Sequence, residues 1–362
     1  MGRAGWGRDV KGVQSIWCER KTGGMTTARS TIAPLLLGPN QPEARPYRGG
    51  AGIRALRGEG STSGWTPEDF VGSTTCIHGS DSIGLSTLPD GRLLRDAVAG
   101  DPTGWLGPGH PPRLGTDTGL LVKLLSTGER LFTHVHPDAE FAAAHFGTHY
   151  GKTEAWLIVD TGDAPTGDVW LGFARDVARD QLEDWFERQD IDALREALNH
   201  VEVRAGDWVY VPAGTVHAIG PDITLVELQE PVDLSIVLEY APFPALDRAS
   251  ALLGLPLASA LDAVPLTRLD AARLDALHGR ASAGPLLPTE ADEAFRAELV
   301  EGRATLDAAF AVLVVLEGEG TLRWDDGELP LTRGATVLVP HGAGQVSLEG
   351  EVRAIRCLPP SS

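Results

Sequence analysis

His134, His136, Glu154 and His217 are the residues of this 362-residue chain whose types and spacing could do chemistry. His134 and His136 stand two apart in an extended run, and residues i and i+2 of a strand face the same side. Two imidazoles on one face, a carboxylate and a third imidazole from a distant strand make a divalent-metal site of N,N,N,O type. Glu227 is a second candidate. Alternation over 225–229 puts Leu225, Glu227 and Gln229 on one face and Val226 and Leu228 on the other. If the polar face lies inside, near a metal, Glu227 could move a proton; on an outer face it would be a solvated glutamate.

Lysine is scarce. Only four of the 31 basic residues are lysines: Lys11, Lys21, Lys123 and Lys152. The latter two flank the histidine motifs, where a compact ammonium differs in kind from the guanidinium used elsewhere. His78, His110, His145 and His149 carry weaker signals and read as surface residues.

The elements that must position these residues are mostly strands. Residues 31–119 are rich in Gly, Pro and Ser, which reads as irregular structure wrapped on a β-core. Strands are expected at 119–125, with Lys123 at a strand end, and at 154–160, 168–174, 201–203, 208–211, 223–229 and 234–240. The run 139–146 has helical propensity behind Pro137. Apolar residues at helical spacing mark 176–200 as the clearest helical stretch, with a second helix starting near Asp190. The Ala/Leu/Pro-rich segment 241–282 reads as a helical connector, after which short strands resume. Gly206-x5-Pro212-x-Gly214 returns as Gly334-x5-Pro340-x-Gly342, an offset of 128 residues. Two β-barrel domains of one type are the natural reading. Gln345 takes the place of His217 in the second copy, and no His-x-His precedes it, so that copy is expected to be structural.

The spacing Gly128-x5-His134-x-His136-x3-Glu140-x6-Gly147, followed by Gly206-x5-Pro212-x-Gly214-x2-His217, resembles the two motifs of the cupin superfamily. These are small antiparallel barrels with a metal inside. The resemblance narrows to class I mannose-6-phosphate isomerases of the short bacterial form. It is carried by Tyr47-Arg48-Gly49-Gly50, the 67–73 segment, Gly84-Leu85-Ser86 with Asp90-Gly91, and Leu121-Val122-Lys123. The histidine pair, Gly151-Lys152-Thr153-Glu154, the His217 segment and 226–229 complete it, in order, from about residue 35 to 240.

The resemblance implies one divalent metal ion per chain, zinc, held by His134, His136, Glu154 and His217. Generic cupin spacing points instead to Glu140 as the carboxylate. Glu154 is favoured because Pro137 and the helical run interrupt the path to Glu140's strand, whereas Glu154 opens an apolar strand from which a side chain can enter a barrel. The resemblance also implies interconversion of mannose 6-phosphate and fructose 6-phosphate; for that reaction Glu227 is the expected proton-transfer group, with Lys152 and Lys123 assisting with substrate charge and orientation. Two positions depart from the family. His134 stands where a Gln is usual, and an imidazole is the stronger ligand for zinc or iron. Val237 stands where an active-site arginine is usual. A cupin dioxygenase using iron or manganese, and a non-catalytic sugar-binding or regulatory cupin, are the alternatives.

The fold expected is mainly β: two cupin-type antiparallel jelly-roll barrels with a helical insert and connector. Residues 1–30 would be a disordered or over-extended tail, without the apolar core of a signal peptide. Residues 31–243 would form the metal-binding catalytic domain, with its helical insert at 176–200. Residues 244–362 would be the connector and a degenerate second cupin domain. A net charge of −19 argues against nucleic acid, and no apolar run approaches a membrane span. Cys18, Cys76 and Cys357 are odd in number and far apart, the pattern of a reducing compartment such as the cytoplasm. The expected partner is a small sugar phosphate; the sequence carries no signal for an oligomeric state.

Overall fold

Alternating and continuous apolar runs, cut by glycine turns, fold into strands that pair antiparallel. The computed structural model describes residues 32–43 and 45–361, so the expected tail at 1–30 lies outside the described residues. Two sheets hold the site. The first runs His278–Arg280, Asp207–Val211, Glu154–Asp160, Thr224–Gln229, Leu121–Ser126, Glu68–Val71 in spatial order. The second runs Ile236–Val237, His134–Val135, His217–Ile219, Gly167–Phe173, Leu198–Val203. Leu125, Trp156 and Ile158 of the first share an apolar cluster with Val169, Leu171 and Ile219 of the second. The two therefore face each other as the layers of a jelly-roll.

A third, eight-stranded sheet gathers the C-terminal strands, including Ala311–Trp324, Thr336–Val339 and Val346–Leu358. It shares a core with the first sheet: Val226 and Leu228 bury their side chains in one cluster with Val312 and Leu338. Strand alternation explains the division of labour, since these two residues occupy the face of Thr224–Gln229 opposite to Glu227.

Several elements differ from the sequence reading. The strand Leu35–Leu37 pairs with Thr336–Val339, in the third sheet. The connector is broken into short helices, Arg248–Ala251, Leu257–Ala260 and Ala271–Ala276, and it yields a strand, His278–Arg280, that pairs with Asp207–Val211. The helical insert consists of Arg179–Arg188 and Ile191–Glu196, and a strand begins at Leu198, where helix was expected up to residue 200. Leu198 is buried opposite Phe173, and that pairing outweighs helical periodicity. The repeat is real in the backbone: Gly206 and Gly334 take φ of 85° and 84°, the left-handed region that glycine occupies freely, each just before an apolar strand. Among the described residues no helix is long and apolar enough to cross a membrane.

Candidate metal centre

His134 and His217 are directly paired across neighbouring strands. The imidazole centroids of His134 and His217 lie 4.0 Å apart, with His136 at 4.8 and 4.9 Å from them. The three offer nitrogen atoms within 4.8 Å of one another, and all are buried. Glu154 comes from the facing sheet. Its Oε2 lies 3.1 Å from His136 Nε2 and its Oε1 lies 3.1 Å from His217 Nε2. Glu140 is exposed in the first turn of the helix Ala139–Phe146, away from this cluster.

Each imidazole is oriented by a backbone carbonyl. Nδ1 of His134 donates to Phe132 O at 2.9 Å, Nδ1 of His136 to Leu234 O at 2.8 Å, and Nδ1 of His217 to Thr215 O at 2.8 Å. With the proton on Nδ1, the lone pair of each ring sits on Nε2 and is free to ligate. Burial holds His134 well below the usual imidazole range and brings His136 down to about 3, so both are neutral, the form that binds metal. Burial pushes Glu154 up; with His136 neutral, the Lys152 ammonium 3.6 Å away is the cation that holds the carboxylate below its usual range. Glu154 Oε2 and His217 Nε2 are buried without a hydrogen-bond partner. Three convergent imidazole nitrogens, an ionised carboxylate and two buried orphan atoms fit a divalent cation.

The remaining candidates converge on the same place. Lys152 Nζ lies 3.0 Å from His136 Nε2 and 3.6 Å from Glu154 Oε2. Lys123 is not a strand-end residue with its ammonium in water. It sits inside the strand Leu121–Ser126 because the apolar run continues past it, and its side chain is 1% exposed. Its Nζ lies 3.5 Å from Glu68, 3.4 Å from Glu227 and 3.8 Å from Asp233, over the ring of Phe70 at 4.8 Å. Glu227 pairs in register with both Lys123 and Trp156, and its buried side chain faces the cavity beside the histidines. Burial and then the charge of Glu154 raise its carboxyl to about 7, against the pull of Lys123 and Lys152. A proton on this group is thus easily taken up and given away near neutral pH.

Sequence reasoning missed three polar residues here. Arg45, Glu68 and Asp233 line the same cavity. Glu68 accepts from Tyr47 Oη at 2.7 Å and lies 2.5 Å from Arg45 Nε. Burial opposes the charge of Glu68, but Arg45 and Lys123 hold its carboxyl below the ordinary value. Arg45 and Asp233 are 188 positions apart, so no local pattern announces their pairing. Val237 is buried and pairs with His134, so position 237 brings no charge to the site.

A family model described as the cupin domain of mannose-6-phosphate isomerase matches residues 288–359. Mannose-6-phosphate isomerase ManA of Bacillus subtilis (strain 168) is 30% identical over 241 residues, 65% of this chain and 73% of that protein. The crystal structure of the mannose 6-phosphate isomerase from Bacillus subtilis superposes with a TM-score of 0.71 at 23% identity, covering 90% of this chain and 99% of that one. A mannose 6-phosphate isomerase bound with zinc and yttrium gives a TM-score of 0.67 at 16% identity, over 91% of this chain and all of that one (100%). At these identities the structural likenesses establish the fold.

Proposed function

This chain belongs to the mannose-6-phosphate isomerase family, and we propose that it interconverts mannose 6-phosphate and fructose 6-phosphate through an enediol. The observation that carries the reading is the meeting of three carbonyl-oriented imidazoles with Glu154, beside a buried Glu227 whose proton is labile near neutral pH. His134, His136, Glu154 and His217 would hold one divalent ion, zinc in the family's usual pattern. When bound, the ion supplies Lewis-acid polarisation of the sugar's carbonyl and hydroxyl oxygens.

Glu227 is assigned the proton transfer. In the open-chain aldose its ionised carboxylate removes the proton from C2, and the electron pair forms the C1–C2 double bond of the enediol. As the C1=O electrons move to O1, the hydroxyl proton passes from O2 to O1, and the proton held by Glu227 returns to C1 while C2–O closes to the carbonyl of the ketose. Lys123, 3.4 Å from Glu227 Oε2, favours the ionised base and steadies its position. Lys152, beside His136 and Glu154, offers an ammonium to the oxygen that gains negative charge. The C-terminal unit at 244–362, with Gln345 in place of the third histidine, is assigned a structural role behind the catalytic unit at 31–243. Widely separated cysteines support a cytoplasmic location.

The test is a coupled isomerase assay on mannose 6-phosphate after metal analysis of the purified protein. Turnover that falls on chelation and returns with zinc is expected. Iron-dependent oxygen uptake without isomerisation would favour a cupin dioxygenase, and metal and sugar binding without turnover a non-catalytic cupin.

A further inference from the structure

The family's usual active-site arginine is replaced here by Val237, an alkyl side chain 3% exposed. A phosphate dianion needs a cation, and a planar guanidinium adds bidentate geometry to the charge that an ammonium also offers. The cations that line the metal cavity, among the described residues, are Arg45, Lys123 and Lys152. Lys123 is enclosed by three carboxylates within 3.8 Å, and Lys152, beside His136 and Glu154, is already assigned to the oxygen at the reacting carbons. Nearby Arg130 donates from Nη1 and Nη2 to the two oxygens of Glu239, the Nη1 bond measuring 2.7 Å.

Arg45 differs from all of these in its contacts and its position. Its Nε lies 2.5 Å from Glu68, but its Nη1 and Nη2 reach Glu68 and Asp233 only at 3.4 to 3.5 Å. A charge-assisted bond is normally about 2.7–2.9 Å, so the outer edge of the guanidinium is loosely engaged. Arg45 also borders two spaces. One is the metal cavity, about 30 Å³, enough for little more than a water molecule. The other is an open groove of about 560 Å³ lined by Glu43, Arg45, Ser63, Trp65, Pro244 and Ala245. The two are also joined through aromatics: Phe132 of the cavity packs edge-on to Phe243 at 5.3 Å, and Pro244 follows in the groove. Sites for small molecules span some 300–1,000 Å³. A sugar with its reacting carbons at the histidines therefore has to extend past Arg45 into the groove.

We propose that Arg45 is the guanidinium that recognises the phosphate of the substrate at the mouth of the groove. The proposal rests on the isomerase reading. It makes Arg45 a specificity-determining residue whose inner nitrogen is anchored by Glu68 and whose outer edge is shared between Asp233 and the phosphate.

The experiment compares wild type, Arg45→Ala and Arg45→Lys on mannose 6-phosphate and on mannose, with inorganic phosphate as a competing probe. Arg45→Ala is expected to lower kcat/KM for mannose 6-phosphate by roughly 10- to 100-fold, mainly through KM. Phosphate inhibition should weaken by a similar factor, and the preference for the phosphorylated sugar should shrink. Arg45→Lys should fall between, because an ammonium keeps the charge and loses the fork. It also decides the matter if the alanine variant does not fold. Equal losses on both sugars, or phosphate inhibition unchanged in Arg45→Lys, would show that Arg45 serves only to hold Glu68 and Asp233, and would overturn the proposal. If wild type isomerises neither sugar, the isomerase reading fails on its own, and phosphate binding measured calorimetrically in wild type and Arg45→Lys still tests the role of Arg45.

Discussion

Glu227 is where the chemistry is most exposed to test. Replacing it by Gln keeps the volume and the hydrogen-bonding shape and removes the proton-accepting charge. Glu227→Gln is expected to lower kcat by about 10²- to 10⁴-fold with metal content unchanged, measured by elemental analysis beside the coupled assay. Near-wild-type turnover would remove Glu227 from the mechanism. The pH profile follows from the same group. Its carboxyl is raised from 4.5 to about 7, and a base must be ionised to act, so kcat/KM should fall as pH drops through that region. Glu154 contributes to the rise, so a dication beside Glu154 moves this acid limb to lower pH. Metal-loaded enzyme should therefore show a limb at or below about 7 and above the ordinary carboxylate value of about 4.3. A profile flat down to pH 4.5 would contradict the assignment.

At the scale of elements, the glycine that opens the first metal motif has a steric cause. A Cβ on Gly128 would meet the backbone O of Gly49 at 2.4 Å, and Gly128 N already donates to Arg48 O at 2.9 Å. The close approach seats the 45–50 segment, with Arg45 and Tyr47, against the first sheet. Gly128→Ala should therefore cost about 1–3 kcal/mol of stability, read by denaturant unfolding, and should lower kcat/KM as well because Arg45 shifts. Full activity with the stability loss would show that the segment's position does not matter. Elements also explain what the sequence could reveal. The His-x-His pair was legible from its spacing, Glu154 from its place at the head of an apolar strand, and Glu227 from the alternation over 225–229. Arg45, Glu68 and Asp233 were not, because their meaning lies in a pairing between distant segments. Three-residue strands such as Leu35–Leu37 and His278–Arg280 are too short to show a period, and Lys123 was misplaced because an apolar run says little about where its strand ends.

At the scale of the molecule, the third sheet stands directly behind the strand that carries Glu227. Residues Thr31–Ser362 form one compact unit, and Leu338 is fully buried in the cluster that includes Val226 and Leu228. Leu338→Ala should cost about 2–5 kcal/mol and lower the midpoint of a single calorimetric transition. Two separated transitions, with only one shifted, would show that the sheets unfold independently.

The pairing of Leu35–Leu37 with Thr336–Val339 sets a condition on how the protein is born. Thr336 Oγ1 donates to the carbonyl of Leu37 across 299 positions, so one of the earliest described strands to leave the ribosome waits for one of the last. At about 5–20 residues per second the wait is roughly 15–60 s. Through that interval Leu35–Leu37 has its early side-chain and backbone contacts, such as Arg57 Nη2 to the Leu37 carbonyl at 2.7 Å, but lacks its strand partner, and an unpaired strand edge is what a ribosome-associated chaperone would shield.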